Sequence, residues 1–198
     1  TVESAASYTL SGGVENLVIK GTATVGVGSS IDNVITGNTL ANTLDGGLGN
    51  DTLSGGEGND FYIVDSALDV VLESNSSLGG NDTIASGVSY TLGGGVENLV
   101  LRGTAAVGVG SSINNVITGN SLANTLDGGL GNDTLSGGEG NDYYIVDSAL
   151  DVIVENAVPA GGIDTIESNS NYTLSGGVEN LVLKGAAAIG VGSSISNA

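Results

Sequence analysis

The sequence predicts an all-β chain, a parallel β-solenoid built from tandem modules. The phrase YTLSGGVENLVIKG at Tyr8 returns as YTLGGGVENLVLRG at Tyr90 and as YTLSGGVENLVLKG at Tyr172, each 82 residues after the last. Inside that long period runs a shorter one of nine, in which an apolar residue follows a glycine-rich turn. The third observation is compositional: 35 glycines against six Tyr and one Phe leave thin Val, Ile, Leu and Ala layers, which suit flat stacked sheets better than a bulky globule.

Residues 1–82 and 83–164 form two full modules and 165–198 part of a third, in register without insertion or deletion, so one continuous solenoid is expected. The chain opens without an initiator Met or a signal peptide and stops at an arbitrary phase of the module. The array is therefore expected to continue in both directions as part of something larger.

The first element of each module is the YTL phrase. Tyr8, Tyr90 and Tyr172 are placed to close the core where coils change size, or to offer a stacking platform for sugars. Next comes VENLVL at Val96–Leu101, with counterparts beginning at Val14 and Val178, which is apolar enough for a core strand. Asn16, Asn98 and Asn180 within it suit a cap, a ladder along the stack or a simple turn amide. The three basic residues, Lys20, Arg102 and Lys184, share one slot behind this strand, as a solvated edge or an inter-chain salt bridge.

The nonapeptides follow. GGLGNDTLS from Gly46 and GGEGNDFYI from Gly55 place Asp51 and Asp60 at position six and Leu53 and Tyr62 at position eight. The frame extends backwards through GNTLANTLD at Gly37 and GSSIDNVIT at Gly28, with Asn42 and Asn33 at position six. It extends forwards through VDSALDVVL at Val64, with Asp69 at position six, and resumes in NDTIA with Asp82 and Ile84. Glycine supplies the tight turn and the flanking Thr, Val and Ile supply the short strand. Two nonapeptides make one coil, so residues 18 apart stack, in parallel strands about 4.8 Å from one another.

A formal charge of −19, from 22 acidic and three basic residues, argues against nucleic acid, whose phosphates need Lys and Arg. It argues for cations, which relieve the self-repulsion of a compact acidic chain. Without Cys or His there are no disulfides, thiolate zinc sites or imidazole ligands, and oxygen ligands remain. No apolar run approaches the roughly 20 residues of a membrane-spanning helix.

The 18-residue coil stacks Asp51 under Asp69 and, in the second module, Asp133 under Asp151. Asp60 meets Asp82, and Asp142 meets Asp164, if four extra residues loop out, in the first module within SNSSLGG. Each pair repels when bare and staples two coils when metalled. Calcium suits such a carbonyl-rich turn better than magnesium, which demands a tight octahedron and keeps its waters. Where asparagine takes position six, at Asn33, Asn42, Asn115 and Asn124, a weaker or empty site is expected.

GGLGNDTLS and GGEGNDFYI resemble the GGxGxDxUx nonapeptide of the repeats-in-toxin (RTX) calcium-binding β-rolls. The YTL, VENL and DxYxVD phrases are similar to longer tandem units of large secreted bacterial calcium-binding proteins and adhesins. The resemblance implies calcium contacts from the carbonyls of Gly47 and Gly49 with the Asp51 carboxylate, and of Gly56 and Gly58 with Asp60. In the second module it implies Gly129 and Gly131 with Asp133, and Gly138 and Gly140 with Asp142. The chain departs from the pattern in the nonapeptides at Gly28 and Gly37, where Asn replaces Asp and glycines are lost.

No GK dipeptide follows the glycines to make a phosphate loop, and the EF-hand spacing is missing. Without His or Cys, and with serines in turn-like clusters such as GSS, catalysis lacks its usual parts, and no enzymatic role is expected. The expected function is a calcium-stabilised structural repeat of a secreted, extracellular or cell-surface filament or adhesin protein. Its expected partners are calcium ions and further copies of itself. A carbohydrate- or surface-binding module, or an accessory β-roll of a secreted enzyme, are the alternatives.

Overall fold

The computed structural model describes residues 1–74, 79–155, 161–187 and 189–193. It is all-β, with no helix among the described residues. By its contacts the chain divides into two compact units, residues 1–88 with 93–98 and residues 89–92 with 99–198.

Unit 1 contains β1 (Val2–Ser4), β2 (Tyr8–Thr9), β3 (Asn16–Ile19), β4 (Val25–Ser29) and β5 (Val34–Thr36). It continues with β6 (Thr43–Gly47), β7 (Thr52–Ser54), β8 (Phe61–Val64), β9 (Val70–Val71) and β10 (Thr83–Ser86). Odd strands pair in the order β1-β3-β5-β7-β9 and even strands in the order β2-β4-β6-β8-β10. Consecutive strands thus alternate between two sheets, the winding of a parallel β-solenoid.

Unit 2 begins with β11 (Tyr90–Thr91) and takes most of β12 (Asn98–Leu101), then β13 (Val107–Val109), β14 (Val116–Thr118), β15 (Thr125–Asp127) and β16 (Thr134–Ser136). It ends with β17 (Tyr143–Val146), β18 (Val152–Ile153), β19 (Thr165–Ser168), β20 (Tyr172–Thr173), β21 (Asn180–Leu183) and β22 (Gly190–Val191). Its sheets run β12-β14-β16-β18 and β11-β13-β15-β17-β19-β21, with β20 beside β22.

The register follows the nonapeptide frame. Val34, Thr52 and Val70 stack 18 residues apart, and so do Leu17, Ile35, Leu53 and Val71. The second column points inward, with Leu17, Ile35 and Leu53 at 0% exposure, while Val34 and Val70 face outward. Burying each such Leu or Ile contributes roughly 1.5–3 kcal/mol. On the opposite sheet Leu44, Tyr62 and Ile84 form the facing column, all fully buried. This is the position-eight apolar residue of the nonapeptide, repeated coil by coil.

Two coil lengths depart from 18. Phe61 pairs with Thr83, and Tyr143 with Thr165, a step of 22. That is the step expected at Asp82 and Asp164; of the SNSSLGG insertion, residues 75–78 lie outside the described residues. Val2 pairs with Leu17, and Thr165 with Asn180, a step of 15 that the nonapeptide frame does not contain. The short coil is the one that carries the VENL phrase.

Tyr90 and Tyr172 are buried, at 8% and 6% exposure, and the Tyr172 hydroxyl donates to the Asp151 carbonyl at 2.7 Å. Tyr8, in the first coil, is 41% exposed. Lys20 pairs with Glu3 at 2.6 Å and Lys184 with Glu167 at 3.3 Å. These bridges run between stacked coils of the same chain and are largely solvated, which limits each to about 0–1 kcal/mol.

Positions one module apart do not share a sheet. Val2–Ser4 and residues 84–86 are equivalent, yet β1 lies in the odd sheet of unit 1 and β10 in the even one. In unit 2, β12 and its equivalent β21 likewise lie in different sheets.

Candidate metal centre

The turns that precede Asp51, Asp60, Asp133 and Asp142 are shaped by glycines in the left-handed region. Gly47 has φ 76° and Gly49 φ 136°, and Gly56, Gly58, Gly129, Gly131, Gly138 and Gly140 repeat the pattern. Left-handed backbone is costly for residues with a Cβ. Space enforces the same choice, because a Cβ at Gly49 would stand 2.8 Å from the Ile31 carbonyl carbon of the coil before it.

The position-six side chains point inward and form ladders along the stack. The Asn33 N–H donates to Asp51 Oδ1 at 2.7 Å, and the Asp51 N–H donates to Asp69 Oδ1 at 2.8 Å. The Asn42 N–H donates to Asp60 Oδ1 at 2.6 Å, and the Asp60 N–H to Asp82 Oδ1 at 2.7 Å. Unit 2 repeats both: Asn115 to Asp133 at 2.7 Å and Asp133 to Asp151 at 2.9 Å, then Asn124 to Asp142 at 2.7 Å and Asp142 to Asp164 at 2.8 Å. All four aspartate pairs read from the spacing are thus brought together on adjacent coils, each joined through one carboxylate oxygen and one main-chain amide.

The second oxygen separates the members. Oδ2 of Asp51, Asp60, Asp82, Asp133, Asp142 and Asp164 is buried without a hydrogen-bond partner. Asp69 and Asp151 differ: Asp69 Oδ2 accepts the N–H groups of Asp65 and Ser66 at 3.2 and 3.1 Å, and Asp151 Oδ2 those of Asp147 and Ser148 at the same distances. These two carboxylates close a turn with Oδ2 while Oδ1 keeps the link to the adjacent coil. In the Asp60–Asp82 and Asp142–Asp164 pairs both members keep an oxygen for another partner.

The asparagines satisfy themselves in the same slot. Asn33 Oδ1 accepts the Ser29 N–H at 2.6 Å while its Nδ2 donates to the Val14 carbonyl at 2.9 Å. Asn124 Oδ1 accepts the Asn120 N–H at 2.7 Å and its Nδ2 donates to the Ala105 carbonyl at 3.1 Å. An amide carries its own donor, so these rungs need no cation.

Burial raises the aspartate carboxyls. Asp51 and Asp60 are pushed up to about 6, and Asp82 to about 7, against a partial lowering by the main-chain amide each accepts. Neighbouring negative charges add to the rise: Asp69, Asp65 and Asp32 at Asp51, Glu73 at Asp60, and Glu73, Asp60 and Glu97 at Asp82. Asp133 and Asp164 are held at about 6, and Asp142 is raised as well, with burial again the main cause. Desolvation and like charge both disfavour the ionised form.

Four glutamates join these aspartates without any signal in the nonapeptide frame. Glu97 Oε2 accepts the Asp82 N–H at 2.8 Å, and Glu179 Oε2 the Asp164 N–H at 2.9 Å. In the 15-residue coil the longer Glu arm continues the ladder that Asp makes elsewhere. Glu155 places a carboxylate oxygen within 4.8 Å of oxygens from Asp142 and Asp164. Glu73 is its equivalent in unit 1, where it accepts from the Tyr62 hydroxyl and from the Gly55 N–H, the latter at 3.2 Å. The available signal was the comparison of modules: ESNSSLGGN at Glu73 and ENAVPAGGI at Glu155 differ at most positions but keep the Glu and the Gly pair.

Buried carboxylate oxygens without donors, stacked in pairs beside glycine turns, fit a hard divalent cation with oxygen ligands. Residues 27–62 and 109–148 match the family model described as the RTX calcium-binding nonapeptide repeat (4 copies). No significant match is found among curated proteins or among solved structures.

Proposed function

We propose, for a chain that carries RTX calcium-binding nonapeptide repeats, that it is a calcium-stabilised structural segment of a secreted protein that works as a surface layer, filament or adhesin stalk. The observation that carries this reading is the pair of partnerless, buried Oδ2 atoms on Asp60 and Asp82, repeated at Asp142 and Asp164. A fold that ends with such atoms is incomplete, because a desolvated carboxylate without a partner costs stability.

The proposed ligand set is Asp51 with Asp69 and Asp60 with Asp82, joined by the carbonyls of Gly47, Gly49, Gly56 and Gly58. Its repeat is Asp133 with Asp151 and Asp142 with Asp164, joined by Gly129, Gly131, Gly138 and Gly140. Bound calcium supplies charge neutralisation and a bridge between adjacent coils. Asp60, Asp82, Asp142 and Asp164 are each joined to the adjacent coil and present a second oxygen, as do Asp51 and Asp133, so the ion site is prepared only when two coils are stacked. An unfolded chain lacks that site.

Binding to the folded form alone adds stability of about 2.7 kcal/mol per site at a calcium level 100-fold above Kd. A chain built this way stays loose in a low-calcium cytosol, which suits export, and folds outside the cell. A coil without a cap offers unpaired strands to a further copy, the route proposed to filaments.

The test is far-UV circular dichroism of the chain during a calcium titration, with magnesium as control and a chelator to reverse it. A calcium-specific, reversible gain of β structure is expected. Full β structure in chelator, unchanged by calcium, would overturn the reading.

A further inference from the structure

We propose that Glu73 and Glu155 are calcium ligands that complete the Asp60–Asp82 and Asp142–Asp164 sites, each held in place by a tyrosine hydroxyl, Tyr62 and Tyr144. This assignment rests on the calcium reading above and extends it to residues outside the segments matched by the nonapeptide family, which end at residues 62 and 148.

In unit 2, Asp142, Glu155 and Asp164 bring one carboxylate oxygen each within 4.8 Å of one another. A cluster of acids alone is no site, but two of these residues bring Oδ2 atoms that are buried and without a hydrogen-bond partner, on side chains 2% and 0% exposed. Three carboxylates this close repel one another, and a cation held between them removes that repulsion. Oxygen ligands alone, with several carboxylates, are the coordination set of a hard ion.

The tyrosine fixes the third carboxylate. The Tyr144 hydroxyl donates to Glu155 Oε1 and accepts the Gly137 N–H at 2.7 Å. Tyr62 does the same, donating to Glu73 Oε1 and accepting the Gly55 N–H at 2.8 Å. A Cβ at Gly55 or Gly137 would overlap both the aspartate Oδ2 and the tyrosine hydroxyl, so the first glycine of this nonapeptide is what lets the two groups meet. From the other side the following coil closes over the glutamate: a Cβ at Gly177 would stand 2.7 Å from the Glu155 Cβ, and one at Gly95 would stand 3.0 Å from the Glu73 Cβ. Glutamate, hydroxyl and both aspartates are thus positioned by three successive pieces of one winding. The Asp51–Asp69 and Asp133–Asp151 pairs are built differently, because Asp69 and Asp151 already hold main-chain amides on both oxygens, one from the adjacent coil and two from their own turn.

The experiment is calcium titration by calorimetry on the full chain and on a Glu73→Gln/Glu155→Gln double variant, with an Asp51→Asn/Asp133→Asn double variant as comparison. In the glutamine variant two sites are expected to weaken by at least about 10-fold, while the remaining sites keep their affinity. A glutamine variant that binds calcium with the affinity and stoichiometry of the unaltered chain overturns the glutamate assignment alone. An unaltered chain that binds no calcium overturns the calcium reading together with it. A second measurement covers the case of a variant that does not fold. The chain has no Trp, so terbium emission can be sensitised only by its six Tyr and one Phe. Terbium titrated into the unaltered chain should luminesce, and Tyr62→Phe/Tyr144→Phe should remove most of that emission. Emission undiminished in the phenylalanine variant removes the tyrosines from the site.

Discussion

Asp82 accepts the main-chain N–H of Asp60, 22 residues earlier, at 2.7 Å through Oδ1, and leaves its Oδ2 buried with no partner. One carboxylate therefore does two jobs, locking the register of the long coil and holding out an oxygen that the protein itself does not satisfy.

Replacing that kind of aspartate by asparagine should reverse the usual sign of a core polar mutation. In Asp60→Asn the side chain can copy Asn42, whose Oδ1 accepts the Asn38 N–H at 2.8 Å and whose Nδ2 faces the Ala23 carbonyl and Asn38 Oδ1. We expect the calcium-free variant to be more stable than the parent by about 1–3 kcal/mol, the cost of an unsatisfied buried group, and to gain less from calcium. Urea unfolding in chelator and in calcium measures both.

The pH response should also change sign with calcium. Burial holds Asp51, Asp60, Asp133 and Asp164 at about 6 and Asp82 at about 7 in the folded chain, against about 3.9 when unfolded. The folded form then binds more protons between those values, so the calcium-free protein gains stability as pH falls from about 7 towards 4. Calcium competes for the same oxygens, so its affinity drops over the same window. Thermal melts from pH 8 to pH 4, with and without calcium, should show opposite slopes.

Gly55→Ala tests the cradle. Gly55 is not among the positive-φ glycines, so the backbone accepts alanine, but the new Cβ collides with the Asp60 carboxylate and the Tyr62 hydroxyl. Overpacking of this kind costs roughly 1–3 kcal/mol, and calcium binding at that site should weaken with it. Gly12→Ala, where a Cβ meets nothing within 4 Å, is the neutral control in the same denaturation series.

Core and surface should separate cleanly. Leu53→Ala removes a fully buried member of the Leu17–Ile35–Leu53–Val71 column and should cost about 2–5 kcal/mol. Lys20→Gln breaks the exposed bridge to Glu3 and should cost no more than about 1 kcal/mol. Chemical denaturation in calcium compares the two directly.

The solenoid was legible because each nonapeptide puts one apolar residue on the inner face: Leu53 and Tyr62 stand at position eight and both are fully buried. The aspartate pairs were legible for the same reason, since fixed spacing becomes fixed stacking. The 15-residue coil was not, because the Gly pair before VENL is followed by Glu after one residue where a nonapeptide places Asp after three, and only its pairing with Asp82 and Asp164 shows Glu97 and Glu179 as substitutes for the position-six Asp. Glu73 and Glu155 escaped notice because each sits 13 residues beyond its aspartate, off the beat of nine, and reaches the site by the length of its side chain. The distinction between Asp69 and Asp82 was equally hidden, since it depends on which turn amides fall within reach of the second oxygen.

Equivalent points of the repeat are nine strand steps apart, from β1 to β10 in unit 1 and from β12 to β21 in unit 2. An odd count means that the repeat is a translation combined with a change of side. Within each unit, strands written alike one module apart therefore lie in opposite sheets, so a phrase that serves one sheet at its first occurrence serves the other at its second.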